Sequence, residues 1–339
     1  MWLNQVWFVL YVVIIGGYVI LDGFDLGVGM LSPFVARSDH DRRILLNSIG
    51  PVWDGNEVWL VLGGGALFAA FPFVYASLFS GFYLALMAVL LVLILRAVAI
   101  EFRSKRPGER WRRTWDRFFT ISSTGIAFLL GVALGNVLRG VPIDDQGNLD
   151  VDFLSLLSPY ALLLGVAGVL MLALHGGIYL TMKLQDDLLE RVERLVPRLM
   201  VAFFVVMTVV IAWTLFLPED FAQNFRDRPW TAVFPAAAFV AVVAAWRAIR
   251  SHSHGWAFMA SSSMIALLMA SVAAALYPVM LPASNGAANS LTIYNAASTQ
   301  ETLTVMLVVA VLGMPFVLMY TAGVYYFFRG RVQLDDDSY

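Results

Sequence analysis

Apolar residues in this chain neither alternate nor keep to one helical face; they fill whole windows. Nine such windows cover approximately residues 6–32, 53–75, 77–98, 118–138, 159–181, 199–217, 231–249, 256–277 and 303–327. Each is near the roughly 20 residues a helix needs to cross a hydrocarbon core, and none shows the roughly ten-residue alternation of a barrel strand. The pattern predicts an all-α membrane protein with nine transmembrane helices. No soluble domain, linker or low-complexity tract interrupts the windows, so residues 1–339 read as a single integral-membrane domain.

Composition agrees. The 339 residues are 60% hydrophobic and 14% charged, against roughly 25% charged in an ordinary soluble domain, and no single soluble core could absorb that excess. The first basic residue is Arg37, so the opening segment lacks the positive flank of a cleaved signal peptide and is expected to stay. Cysteine is absent, which excludes disulfides, thiolate-held iron–sulfur clusters, blue-copper sites and Cys-based zinc sites.

Net charge is −2, and its distribution says more than its total. Eighteen of the 22 Lys and Arg residues lie in the odd-numbered loops and the C-terminus. They are Arg37, Arg42 and Arg43; Arg103, Lys105, Arg106, Arg110, Arg112, Arg113 and Arg117; Lys183, Arg191, Arg194 and Arg198; Arg247 and Arg250; and Arg329 and Arg331. Cytoplasmic loops retain positive charge, so the N-terminus is expected outside and the C-terminus in the cytoplasm. The Arg-rich third loop reads as a surface facing solvent and lipid headgroups, not as a nucleic-acid site, and Asp335 to Asp337 as a solvated tail.

Ionisable groups inside a bilayer are costly, so each one within a window is a functional candidate. Asp22 and Asp25, three apart, share one face of the first helix, with Gly29 continuing that face and Gly23 and Gly27 forming a small-residue shoulder beside it. The second window opens with Pro51 at the expected first helical position, followed by Asp54 and Glu57; a helix dipole alone would account for carboxylates there. Arg96, near the end of the third window, either reaches the headgroups or neutralises a carboxylate on a neighbour, and Glu101 follows at the same edge. His175 sits within the fifth window, where a hydrogen-bonded packing role is more ordinary than ligation.

With the expected orientation, all of these groups lie toward the cytoplasm. Two readings follow: a proton inlet built from Asp22, Asp25, Asp54, Glu57, Arg96 and Glu101, or a static ion-pair cluster that holds the first three spans together. The remaining polar motifs are quieter. Ser298-Thr299-Gln300-Glu301 fits a capping box, and Gly63-Gly64-Gly65 lacks the ending of a phosphate loop. His40, His252 and His254 lie in or beside cytoplasmic loops, so two facing intramembrane histidines are not available and no haem or metal ligand is assigned to this chain.

At Gly23 to Leu31 (GFDLGVGML) and Pro51 to Leu60 (PVWDGNEVWL), then GGALFAAFP, FSGFYLAL, YPVMLPAS (Tyr277 to Ser284) and SLTIYNAASTQETLTVM (Ser290 to Met306), the chain resembles subunit II of cytochrome bd quinol oxidases, including the cyanide-insensitive branch. The resemblance runs over essentially the whole chain. It implies two four-helix bundles plus one extra helix, in the bacterial inner membrane, paired with a similarly folded subunit I that carries the b-type haems, haem d and the quinol-oxidising loop. Dioxygen would be reduced to water with cytoplasmic protons as quinol is oxidised near the outer face. Subunit II would hold no haem itself; a structural quinone or lipid and small single-helix subunits would accompany it. The motifs carry Asp22, Asp25 and Asp54 over as proton-delivery positions, with Glu57, Arg96 and Glu101 as weaker neighbours. The alternatives are a stand-alone secondary transporter using the intramembrane carboxylates, or a pure scaffold.

Overall fold

The computed structural model describes residues 1–217 and 221–334; the acidic tail at Asp335 to Asp337 lies outside them. The chain is built of helices α1 (Trp2–Val35), α2 (Asp39–Ile49), α3 (Trp53–Ala70), α4 (Pro72–Gly81), α5 (Tyr83–Phe102), α6 (Glu109–Arg139), α7 (Pro159–Lys183), α8 (Asp186–Thr214), α9 (Phe221–Asp227), α10 (Val233–Arg250), α11 (His254–Leu276) and α12 (Gln300–Phe327). Eight helices among the described residues are long and apolar enough to cross a membrane. They coincide with eight of the nine windows.

The remaining window, 53–75, the second along the chain, behaves differently. Proline lacks an N–H and drives the residue before it out of helical geometry. Here Phe71 adopts φ −134° and ψ 63°, and Pro72 starts α4, so the window splits into α3 and a short second helix. Asp54, Asn56 and Glu57 also dilute the apolar character of α3. Pro51 does not open the helix as expected: it lies in the turn after α2, and α3 begins at Trp53.

Loop 1 contains a helix that apolar windows cannot reveal. In α2, Ser38 and Asp41 cap reciprocally: the Asp41 N–H donates to Ser38 Oγ at 3.0 Å, and the Ser38 N–H to Asp41 Oδ2 at 3.4 Å. At the other end of the chain the cap of α12 is Thr299, whose hydroxyl accepts from the Thr302 N–H at 3.2 Å. The cap is thus one residue later than the capping-box pattern placed it, and Glu301 simply occupies the first turn.

Helix α1 runs through the middle, packed against α3, α6, α7 and α11. Lipid tails are as apolar as side chains, so helices in a bilayer gain little from burial and associate through close packing of small residues. Gly27 meets the backbone of α7 directly; a Cβ there would strike the Leu172 carbonyl, and one on Gly176 would lie 2.5 Å from Gly27 Cα. The same device joins α6 to α7, where a Cβ on Gly131 would fall 2.6 Å from the Leu164 carbonyl. The glycine shoulder expected on α1 is therefore a helix contact, with α7 as its partner.

One end of the molecule is closed by the segments after α6 and α11. Val279–Leu281 pairs antiparallel with Leu291–Thr292, and Val141 bridges to Ala283, a small departure from an all-helical chain. Trp7 of α1 donates from Nε1 to the Leu303 carbonyl at 2.9 Å, and Asn4 from Nδ2 to the Ile293 carbonyl at 2.7 Å, fastening α1 and α12 to this cap. The opposite end gathers α2, the start of α3, the α5–α6 and α7–α8 connections and the α10–α11 turn, which hold most of the arginines.

Candidate functional site

The polar residues that stand out in the apolar windows converge. Asp22 faces α5, where Arg96 Nη2 lies 2.6 Å from its Oδ1, and both side chains are fully buried. Glu57 of α3 approaches the other arm of the guanidinium, Oε2 to Nη1 at 3.5 Å, with its side chain 22% exposed. Arg96 stands six residues before the end of α5, about 9 Å of helix from the arginine-rich end. An unpaired charge at this depth would be severely penalised, so the pairing explains how an arginine is tolerated inside an apolar helix.

One turn beyond Asp22, Asp25 is also fully buried. Asn56 Nδ2 donates to its Oδ2 at 2.8 Å and lies 3.2 Å from the Leu21 carbonyl. The Tyr325 hydroxyl of α12 donates to Asn56 Oδ1 at 2.8 Å. A polar string therefore runs from α12 through α3 to α1, beside the ion pairs of Asp22, Arg96 and Glu57. Such side-chain networks in a low-dielectric interior hold a fixed geometry because each unmade bond is costly.

Asp54 and Glu101 sit apart. Asp54 is exposed in the first turn of α3, on the surface next to Glu57. Glu101 is half-buried five residues after Arg96, which turns it about 140° around the helix axis. His175 takes the packing role: its Nε2 donates to the Ile20 carbonyl at 3.0 Å, Nδ1 lies 2.9 Å from Ser261 Oγ, and the ring stacks on Phe258 at 5.0 Å. Asn56 and Tyr325 carry no signal in the sequence. Neither carries a charge, and an amide or a phenol at a helix end is too common to signal a site.

The arginine-rich end is organised, not merely solvated. Arg103, buried, holds Asp116 at 2.6 Å and Asp39 at 2.7 Å, and Arg112 reaches the second oxygen of Asp39 at 2.9 Å. Arg191 of α8 donates to Asp41 Oδ2 at 2.8 Å and to the Val35 carbonyl at 2.6 Å. Burial alone would raise the Asp41 pKa, but the Arg37 N–H, Arg191 and Ser38 outweigh it and hold the carboxyl down to about 2. These pairs fasten α2 against the turn after α5, against α6 and against α8.

Comparison with known proteins matches this architecture closely. The family described as cytochrome bd terminal oxidase subunit II matches residues 3–328. Cytochrome bd-I ubiquinol oxidase subunit 2 of Escherichia coli K12 is 36% identical, covering 98% of this chain and 96% of its own. Cytochrome bd ubiquinol oxidase subunit 2 of Bacillus subtilis is 35% identical, with 97% of each covered. A chain from the bd oxidase structure of Geobacillus thermodenitrificans superposes with a TM-score of 0.80 over 97% of this chain and 99% of that one, at 19% identity, a likeness of fold. With a whole-length family match and eight apolar spans in hand, the chain belongs to the cytochrome bd terminal oxidase subunit II family and is a multi-pass membrane protein.

Proposed function

We propose that this chain is the haem-free subunit of a quinol:oxygen oxidoreductase, stabilising the haem-bearing subunit I and admitting protons from the cytoplasmic side for dioxygen reduction. The carrying observation is the buried cluster of Asp22, Asp25, Asn56, Glu57, Arg96 and Tyr325, reached from the arginine-rich end at Glu57. Reducing one dioxygen to two waters consumes four protons and four electrons, and oxidising two quinols releases four of each. When uptake and release occur on opposite sides, the turnover is electrogenic without a pumping cycle. Carboxyl groups exchange protons, and an adjacent guanidinium with a fixed amide sets where they sit. Asp54, exposed beside Glu57, serves as the outer receiver in this reading, and Glu101 flanks the entry.

The haem-free assignment is supported by the bonds His175 already makes. Both ring nitrogens are engaged and the ring is stacked, while His40, His252 and His254 sit at the arginine-rich end, so no pair of facing imidazoles fits a haem inside the bundle. When bound to subunit I, haem b and haem d would supply the electron transfer and oxygen chemistry. The finer architecture belongs to the same proposal: nine spans with α3 as the second, two four-helix bundles plus one helix, and the N-terminus outside. The apolar faces of α3, α5 and α12, with Val61, Phe68, Leu91, Val309 and Phe316 exposed, offer area for subunit I, for small single-helix subunits and for a structural quinone or lipid. The transporter reading gives way to the family match.

Composition of the complex purified in mild detergent tests the subunit roles. Co-purification with one haem-bearing subunit, and loss of haem from that subunit when this chain is deleted, is expected. A haem spectrum carried by this chain alone would overturn the assignment.

A further inference from the structure

A second constellation lies away from the carboxylate cluster. Among the described residues, one group of three ligating side chains converges: Glu193 of α8 with His252 and His254 of the α10–α11 turn. His252 Nδ1 lies 3.0 Å, and His254 Nε2 2.9 Å, from the same Glu193 oxygen, Oε1. The three donor atoms all fall within 4.8 Å of one another. His254 and Glu193 are 18% and 24% exposed, and His252 is 72% exposed, so the group is open to solvent on one side.

The backbone carrying His252 supplies an independent observation. The Ser253 N–H donates to the Ala248 carbonyl at 2.9 Å and the His252 N–H to the Ile249 carbonyl at 3.1 Å, the paired bonds that close a helix through one left-handed residue. That residue is His252, at φ +54°. Glycine is the usual occupant because a side chain is disfavoured in this conformation. The sequence keeps an imidazole where the backbone prefers none, and the turn aims it at Glu193. Glycines are abundant elsewhere in the chain, 26 in all, so the choice at this position points to the side chain.

We propose that Glu193, His252 and His254 form a binding site for a divalent transition metal of the zinc type. Two imidazole nitrogens and one carboxylate oxygen are the donor set such ions take, leaving a fourth, solvent-facing position for water. Donors at about 2.0–2.2 Å from an ion sit a little over 3 Å apart. The observed 2.9–3.0 Å separations from Glu193 therefore need to widen only by tenths of an ångström, while the two imidazole nitrogens, within 4.8 Å of each other, draw together around the ion. Each nitrogen must offer its lone pair, so the proton it now shares with Glu193 leaves for solvent or for the other ring nitrogen. The ion would bind α8 to the α10–α11 turn as a cross-link. The sequence alone gives no sign of this site, because the donors come from helix α8 and from a turn 59 and 61 residues later, and only folding aligns them.

Tag-free purified oxidase complex, stripped with a chelator and dialysed against Zn²⁺, tests the site by metal content. Wild type is expected to retain one more Zn²⁺ per complex than His252→Gly/His254→Ala, and Glu193→Gln to bind at least about tenfold more weakly. His252→Gly places the favoured residue in the turn, so the fold is preserved, and quinol oxidation by each variant reports that the complex is intact. Equal Zn²⁺ content and affinity in wild type and the double variant would overturn the proposal, as would no retained Zn²⁺ in an intact, active wild-type complex.

Discussion

Arg96 decides how the buried site is held. Its guanidinium is fully buried between Asp22 and Glu57, so deleting it alone strands both carboxylates, while deleting both members of the closest pair leaves only the part-exposed Glu57 without its partner. Arg96→Met is expected to lower the stability of the complex by about 3–5 kcal/mol, and Asp22→Leu/Arg96→Met by clearly less than the two single changes together. Thermal denaturation of the four members of that cycle measures the coupling; additive losses would show that the pair is not a unit. Glu57, near a helix start, is equally explained there by the helix dipole, whereas Asp22, Asp25 and Arg96 were legible in the sequence because charge inside an apolar window has few innocent explanations. Asn56 was not, although it touches Asp25, Leu21 and Tyr325, because an amide becomes informative only through its partners.

At the scale of elements, the apolar windows found the long helices and missed what interrupts or joins them. Pro72 broke the second window, and α2 escaped notice because its 11 residues are held by a capping box and ion pairs instead of by lipid. The Asp41 carboxylate fixes this helix to α8 through Arg191, and its pH dependence follows from its depressed pKa. A carboxyl held near 2 against about 3.8 when free contributes on the order of 2 kcal/mol, present above the free value and lost as pH falls through the folded one. Asp41→Asn should therefore lower the melting temperature of the complex at neutral pH, and the difference from wild type should shrink as pH drops from about 4 toward 2. A difference that persists unchanged at the acid end would assign the effect to packing, not charge.

For the whole molecule, orientation determines what the buried carboxylates can do. The 18 arginines and lysines of the odd loops and C-terminus were visible as a bias in the sequence, and the fold brings those segments to one end, where α3 begins and Glu57 is 22% exposed. The absence of cysteine makes the topology directly measurable. Single cysteines at Ser155, beyond α6, and at Ser251, beyond α10, should react oppositely with an impermeant maleimide in spheroplasts, Ser155→Cys labelled from outside and Ser251→Cys only after lysis. The reverse pattern would place the carboxylate cluster on the wrong side for an inlet. The central claim is that protons for dioxygen reduction pass through this cluster, and proton uptake during quinol oxidation by complex reconstituted in vesicles tests it most directly. Asp25→Asn is expected to retain its haem spectrum while losing at least about tenfold in turnover and in proton uptake from the Arg-rich side, a barrier increase of about 1.4 kcal/mol or more. Full turnover with undiminished uptake from that side in Asp25→Asn and Asp22→Asn would contradict the account and leave the cluster a structural clasp.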